Sequence, residues 1–154
     1  MDDDQTIEMS VPLDEDGFLR RECPTCEREF KWLNSEAGES EPVPMGGYYC
    51  PYCRVQAPPE QWFTKEQVEL AKNRVERDIL GPEFEKMSRD LKRSNRGRLV
   101  SLDMKYDKPP ELDPLMEPND MRRVDVACHP KEPLKVLDDW TRPVHCLICS
   151  QPSS

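Results

Sequence analysis

Apolar and polar residues alternate in short stretches toward both ends of this chain and recur at helical spacing in its middle. Phe30 and Trp32 flank Lys31, and Tyr48-Tyr49 follow a polar stretch. Val124 and Val126 flank Asp125, and Leu134 and Val136 flank Lys135. Such alternation predicts four short strands. Between them Val68, Ala71, Val75 and Ile79 share one face of a helix. Thr64, with Gln67 three positions on, has the pattern of a capping box at its start. Gly81-Pro82 interrupts this helix, because proline has no N–H to donate and its ring crowds the preceding turn. A second helix with Pro82 in its first turn would present Phe84, Met87 and Leu91. The expectation over 64–96 is therefore a helical hairpin or one kinked helix. Residues 34–47, rich in Ser, Glu, Pro and Gly, read as a loop. Pro109, Pro110, Pro114 and Pro118 make 97–121 a Pro-rich linker.

Composition limits what these elements can bury. The chain has 154 residues, 36% hydrophobic and 34% charged, with 16 prolines. So polar a sequence cannot rest on a large apolar core, and small folds of this kind need a staple. Charge is uneven as well. Asp2, Asp3, Asp4, Glu8, Asp14, Glu15 and Asp16 contribute −7 of the net −9, which leaves −2 for everything after Gly17. Residues 1–17 thus read as an acidic, disordered leader, with a short extended piece near 7–11. Such a leader could also dock a basic partner.

The staple is visible in the cysteines. Cys23/Cys26, Cys50/Cys53 and Cys146/Cys149 are three Cys-x-x-Cys pairs, each bringing two thiolates to one side of a tight turn. The first two pairs, with 23 residues between them, complete one tetrahedral Cys₄ set. The third pair needs two more ligands. Cys128 is one, and either His129 or His145 is the other. His129 is favoured because Pro130 makes a turn there plausible, and only a turn lets adjacent residues bind together. A Cys₃ set with water in the fourth position is the alternative, and it would be reactive. The expected cofactor is Zn²⁺, two per chain. Disulfides fit less well, since the chain opens Met-Asp-Asp-Asp without a signal peptide and has an odd number of cysteines, seven. With no apolar run near the ~18 residues of a membrane span, the expected location is the reducing cytoplasm.

On Cys23-Pro-Thr-Cys26 and Cys50-Pro-Tyr-Cys53 with their flanking aromatics, residues 20–55 resemble the zinc-ribbon group, which includes rubredoxin-like domains and ribbons of the transcription machinery. In Ala127-Cys-His-Pro and Val144-His-Cys-Leu-Ile-Cys149 the chain resembles a compact zinc ribbon a second time. The resemblance implies that each set of four binds one metal. It also implies a small metal-stabilised α+β fold of two zinc β-ribbons, at 18–63 and 122–154, joined by the helical segment and linker. Rubredoxins usually place glycine soon after each knuckle, whereas Glu27 and Arg54 stand here, which argues against iron electron transfer. Transcript-cleavage elongation factors also carry acidic residues in the inter-knuckle loop, matched by Glu36, Glu39 and Glu41, but their adjacent Asp-Glu pair is missing.

No catalytic motif accompanies these sites. Neither histidine lies in a deaminase or hydrolase arrangement, and there is no Gly-rich phosphate loop. The chain is expected to be a non-enzymatic interaction or adaptor subunit with a protein partner and no small-molecule substrate or membrane. The other reading is nucleic-acid binding through Lys86, Arg89, Lys92, Arg93, Arg96 and Arg98, a cluster opposed only by Asp90.

Overall fold

The computed structural model describes residues 10–35, 40–97 and 106–153. The expected extended piece near 7–11 lies mostly outside this range, as do Glu36, Glu39, Arg98 and part of the linker. Strands β1 (Phe18–Glu22), β2 (Glu29–Leu33), β3 (Tyr48–Tyr49) and β4 (Gln56–Ala57) come first. Helices α1 (Lys65–Val75) and α2 (Gly81–Ser94) follow, then β5 (Met121–Val124) and β6 (Leu134–Leu137). The chain divides into two compact units, Val68–Pro114 and the combination of Val11–Gln67 with Leu115–Ser154.

The second of these units holds a four-stranded antiparallel sheet in the order β1-β2-β6-β5, and a separate β3-β4 pair. This corrects the expectation of two independent ribbons. Strands from the two halves of the sequence share one sheet, because β2 pairs with β6, Trp32 opposite Leu134. They also share one core. Trp62, Phe30, Leu134 and Val136 are fully buried together with Cys23, Cys50 and Cys146. Phe30 meets Trp62 edge-on at 5.7 Å and Tyr52 at 6.3 Å between centroids. Trp140 is only half-buried, its ring 4.7 Å from that of Tyr52.

The alternation of each strand gives the sheet two unlike faces. Phe30, Trp32, Leu134 and Val136 cover one. Lys31 and Lys135, directly opposed across β2 and β6, stand on the other with 0% and 2% of their side chains exposed. Two like charges in register repel, and the acids that offset them come from unexpected segments. Asp14 lies 3.2 Å from Lys31 and 2.8 Å from Lys135, and Asp16 lies 2.6 Å from Lys135. Glu117 lies 2.9 Å from Lys31, and it and Asp120 also bind Arg20. Burial alone would raise the Asp14 carboxyl. Lys135, the Phe18 N–H, Lys31 and the Asp16 N–H outweigh it and hold the group at about 2. The end of the acidic leader and the end of the linker are therefore parts of the sheet unit: their carboxylates are neutralised by distant cations instead of by solvent.

The start of α1 obeys its cap. Thr64 Oγ1 accepts the Gln67 N–H at 3.1 Å and Gln67 Oε1 accepts the Thr64 N–H at 3.0 Å. At Gly81-Pro82 the helix widens instead of breaking. Residues Glu76–Leu80 form one wide turn in which the Gly81 N–H reaches back to Glu76 O, so the missing Pro82 donor is absorbed. The buried side also differs from expectation. Val68 and Val75 are each 40% exposed, and the helix turns Leu70 and Asn73 inward. Polar bonds set this rotation. Asn73 donates to Pro110 O at 2.9 Å, Arg77 donates to Pro109 O, and Tyr106 donates to Glu76 O.

Candidate metal centres

Each Cys-x-x-Cys pair forms the turn of its own hairpin: Cys23/Cys26 between β1 and β2, Cys50/Cys53 between β3 and β4, and Cys146/Cys149 inside a bridge from His145 to Pro152. The three turns repeat one hydrogen-bond scheme. Glu27 donates to Cys23 O, Arg54 to Cys50 O, and Ser150 to Cys146 O, at 3.0, 3.1 and 3.0 Å. The first cysteine of each then donates its own N–H back across the turn, to Arg28, Val55 and Gln151. Backbone N–H groups also aim at the first sulfur of each pair. Thr25 and Cys26 point at Cys23 Sγ, Tyr52 and Cys53 at Cys50 Sγ, and Ile148 at Cys146 Sγ, all at 3.3–3.4 Å. These donors stabilise negative sulfur, which a metal ligand requires.

Closing such a turn puts the residue after the second cysteine in the left-handed region. Glu27, Arg54 and Ser150 have φ of 59°, 67° and 61°. Two of these, Glu27 and Arg54, are the residues whose side chains depart from the rubredoxin pattern, and their backbone is left-handed all the same.

The structure brings together Cys23, Cys26, Cys50 and Cys53 as one group, and Cys128, His129, Cys146 and Cys149 as another. The ligand atoms within each group lie within 4.8 Å of one another. Cys23 Sγ is 3.6 Å from Cys53 Sγ, and Cys26 Sγ is 3.8 Å from Cys50 Sγ. In the second group Cys149 Sγ is 3.5 Å from Cys128 Sγ, and Cys146 Sγ is 3.3 Å from His129 Nδ1. A tetrahedral ion with Zn–S bonds of ~2.3 Å separates its sulfurs by about 3.8 Å, so both groups have the size and the donor chemistry of such a site. His145 is not part of the second group, since its Nδ1 faces Pro51 O at 3.2 Å. Cys128 and His129 sit in a turn between β5 and β6, closed by the His129 N–H on Val126 O. That turn is what lets adjacent residues face one point.

Burial decides much of the electrostatics. It pushes the Cys23, Cys50 and Cys146 thiols above the usual thiol range, and burial with its sulfur neighbours takes Cys128 up to about 12. For Cys26 burial also works upward, but the Arg28 N–H and the three other sulfurs of its group outweigh it and lower the thiol.

The two groups are neighbours within one folded unit. Tyr49 donates its N–H to Leu147 O at 2.9 Å, His145 donates to Pro51 O at 3.0 Å, and Arg54 Nε donates to Ser150 Oγ at 3.0 Å. Tyr52 reaches Glu29 O through its hydroxyl, which also accepts the Leu137 N–H. The turn of one site thus rests on the turn of the other. Nothing in the spacing of the cysteines signals this.

The basic residues Lys86, Arg89, Lys92, Arg93 and Arg96 are exposed on α2 and just beyond it, and none is ion-paired among the described residues. Among the described residues no helix is long and apolar enough to cross a membrane. No family model matches the chain, and no curated protein or solved structure matches it.

Proposed function

We propose that this chain is a non-enzymatic protein whose fold is stapled by two zinc ions and which serves as an interaction subunit of a larger assembly. One observation carries the reading: each metal group is a set of four thiolate or imidazole donors whose ligand atoms lie within 4.8 Å of one another. A closed set of this kind leaves no coordination position for a substrate or an activated water, which is the mark of a structural site. Bound zinc would hold the hairpin turns together where the apolar core is small. The residues do the rest, through the N–H groups that orient the sulfurs and the His129 turn that completes the second set. Elemental analysis of chain purified without added metal tests this. Two zinc ions per chain, with thiols that react only after unfolding, support it. Iron, or one ion with a readily titrated Cys128–Cys149 set, overturns it. The adaptor role is tested by sedimentation of the chain in extract from its own cells. Migration well above its 18.0 kDa mass supports a subunit role, and migration as a free monomer overturns it.

One observation favours a second reading. Five exposed cations on one helix and its end, with no ion-pair partner among the described residues, suit phosphate contacts. Fluorescence anisotropy with random-sequence DNA and RNA at two salt concentrations decides. Salt-sensitive binding lost on charge reversal of Arg89 and Arg93 supports nucleic acid, and no binding at low salt removes it.

A further inference from the structure

Arg20 and Arg21 are neighbours on β1, and alternation sends them to opposite faces of the sheet. Arg20 meets three carboxylates, those of Glu29, Glu117 and Asp120, at 2.6–2.9 Å. Arg21 is on the apolar face, in register with Phe30, and meets none among the described residues. It is nevertheless only 5% exposed. Its Nε is buried with no hydrogen-bond partner, the one such side-chain atom among the described residues. Its guanidinium lies over two aromatic rings, with Cζ 4.8 Å from the centroid of Trp32 and 5.0 Å from that of Phe63. Stacking of this kind attracts a desolvated guanidinium to each ring face. It does not satisfy the in-plane Nε–H, and a buried cation without a counter-charge is destabilising. Arg21 lines a cavity of about 330 Å³, together with Trp32, Phe63, Tyr48, Ser35 and Glu132.

We propose that this cavity is a binding site for a carboxylate, with Arg21 as its anchor. The planar fork of a guanidinium matches a carboxylate in two parallel hydrogen bonds. The rings fix the fork in place, so little side-chain freedom is lost on binding. A monoanionic carboxylate fits better than a dianionic phosphate, because Glu132 lines the same cavity and would repel the second charge. Glu132 itself is held by the Glu41 N–H at 2.8 Å and is not aimed at Arg21 as a salt bridge. The carboxylate can belong to a small organic acid or to an acidic side chain of a peptide. None of the eight metal-group residues lines the cavity, and its test does not depend on the adaptor reading.

The experiment uses the full, zinc-loaded, ¹⁵N-labelled chain. The Arg21 Nε–H resonance and tryptophan fluorescence are followed at constant ionic strength during titration with sodium glutarate, with acetyl-Gly-Glu-Gly-amide, and with inorganic phosphate. The expected result is a saturable shift of the Arg21 Nε–H with at least one carboxylate probe, weakened at least tenfold in Arg21→Gln. Response to glutarate alone assigns a small acid, and response to the peptide alone or to both assigns or admits an acidic side chain. Each of these supports the site. An Nε–H that moves with neither carboxylate overturns it, as does tighter binding of phosphate. An equal fluorescence response in Arg21→Gln also overturns it. If that variant does not retain zinc, the Nε–H of the unmodified chain decides alone.

Discussion

Glu27, Arg54 and Ser150 show at single-residue scale what a metal knuckle demands. Each has positive φ, a conformation that costs an L residue roughly 1–2 kcal/mol. Among the described residues the Glu27 side chain makes only an exposed ion pair with Lys65, which contributes little. Glu27→Gly should therefore raise stability by about 1 kcal/mol, after allowing for the greater freedom of glycine in the unfolded chain. Urea denaturation of the zinc-loaded protein measures it. The rubredoxin pattern drew attention to Glu27 and Arg54 but not to Ser150, and the absence of glycine hid the conformation of all three. Asp14 makes the opposite case. Asp14→Asn leaves Lys31 and Lys135 with one fewer buried counter-charge, and should cost about 3–5 kcal/mol at neutral pH. Its folded pKa of about 2 lies below the ~3.9 of an unfolded Asp. Its contribution is thus fully present above pH ~4 and is lost as pH falls toward 2. Urea denaturation of zinc-loaded wild type and variant at neutral pH, where the thiolates keep their metal, measures the cost.

The elements show where pattern reading holds and where it stops. Strands β2, β5 and β6 follow the alternation of Phe30/Trp32, of Val124 and of Leu134/Val136, and the cap at Thr64 follows its box. These are local signals with local causes. The face of α1 is not local. Its valines read as the buried stripe, yet Asn73 and Arg77 rotate the helix by bonding the carbonyls of Pro109 and Pro110, more than thirty residues away. A Pro-rich stretch advertises broken secondary structure and hides the fact that its carbonyls, unused by any ladder, are open acceptors. Asn73→Ala should loosen this attachment by about 1–2 kcal/mol. Limited proteolysis should then cut near 106–112 faster, and hydrogen exchange at Leu112 should rise, while the sheet unit keeps its zinc.

For the whole molecule, the ligands were legible and the assembly was not. Cysteine spacing identified seven of the eight group members, and the structure selects His129 over His145 through one turn. That the two groups share a core depends on pairings such as Trp32 with Leu134, which no periodicity encodes. The consequence is coupling. Cys53→Ser should remove the first zinc and also weaken the second at least tenfold, because Tyr49, Pro51 and Arg54 support the Cys146 turn. Competition with a zinc chelator, read as the release rate of each ion, checks this; independent release would show that the turns touch without supporting each other. Full chelation should unfold the sheet unit cooperatively, seen as loss of tryptophan near-ultraviolet dichroism.

The pairing of β2 with β6 has a further consequence during synthesis. Trp32 leaves the ribosome about a hundred residues ahead of Leu134, which at ~5–20 residues per second is an interval of roughly 5–20 s. By then the first four cysteines have emerged and can take up metal, but β2 still exposes an unpaired edge and Lys31 still lacks the carboxylates of Glu117 and Asp120. A nascent chain halted in this interval presents a metallated hairpin with a sticky flank, the kind of surface that holding chaperones recognise.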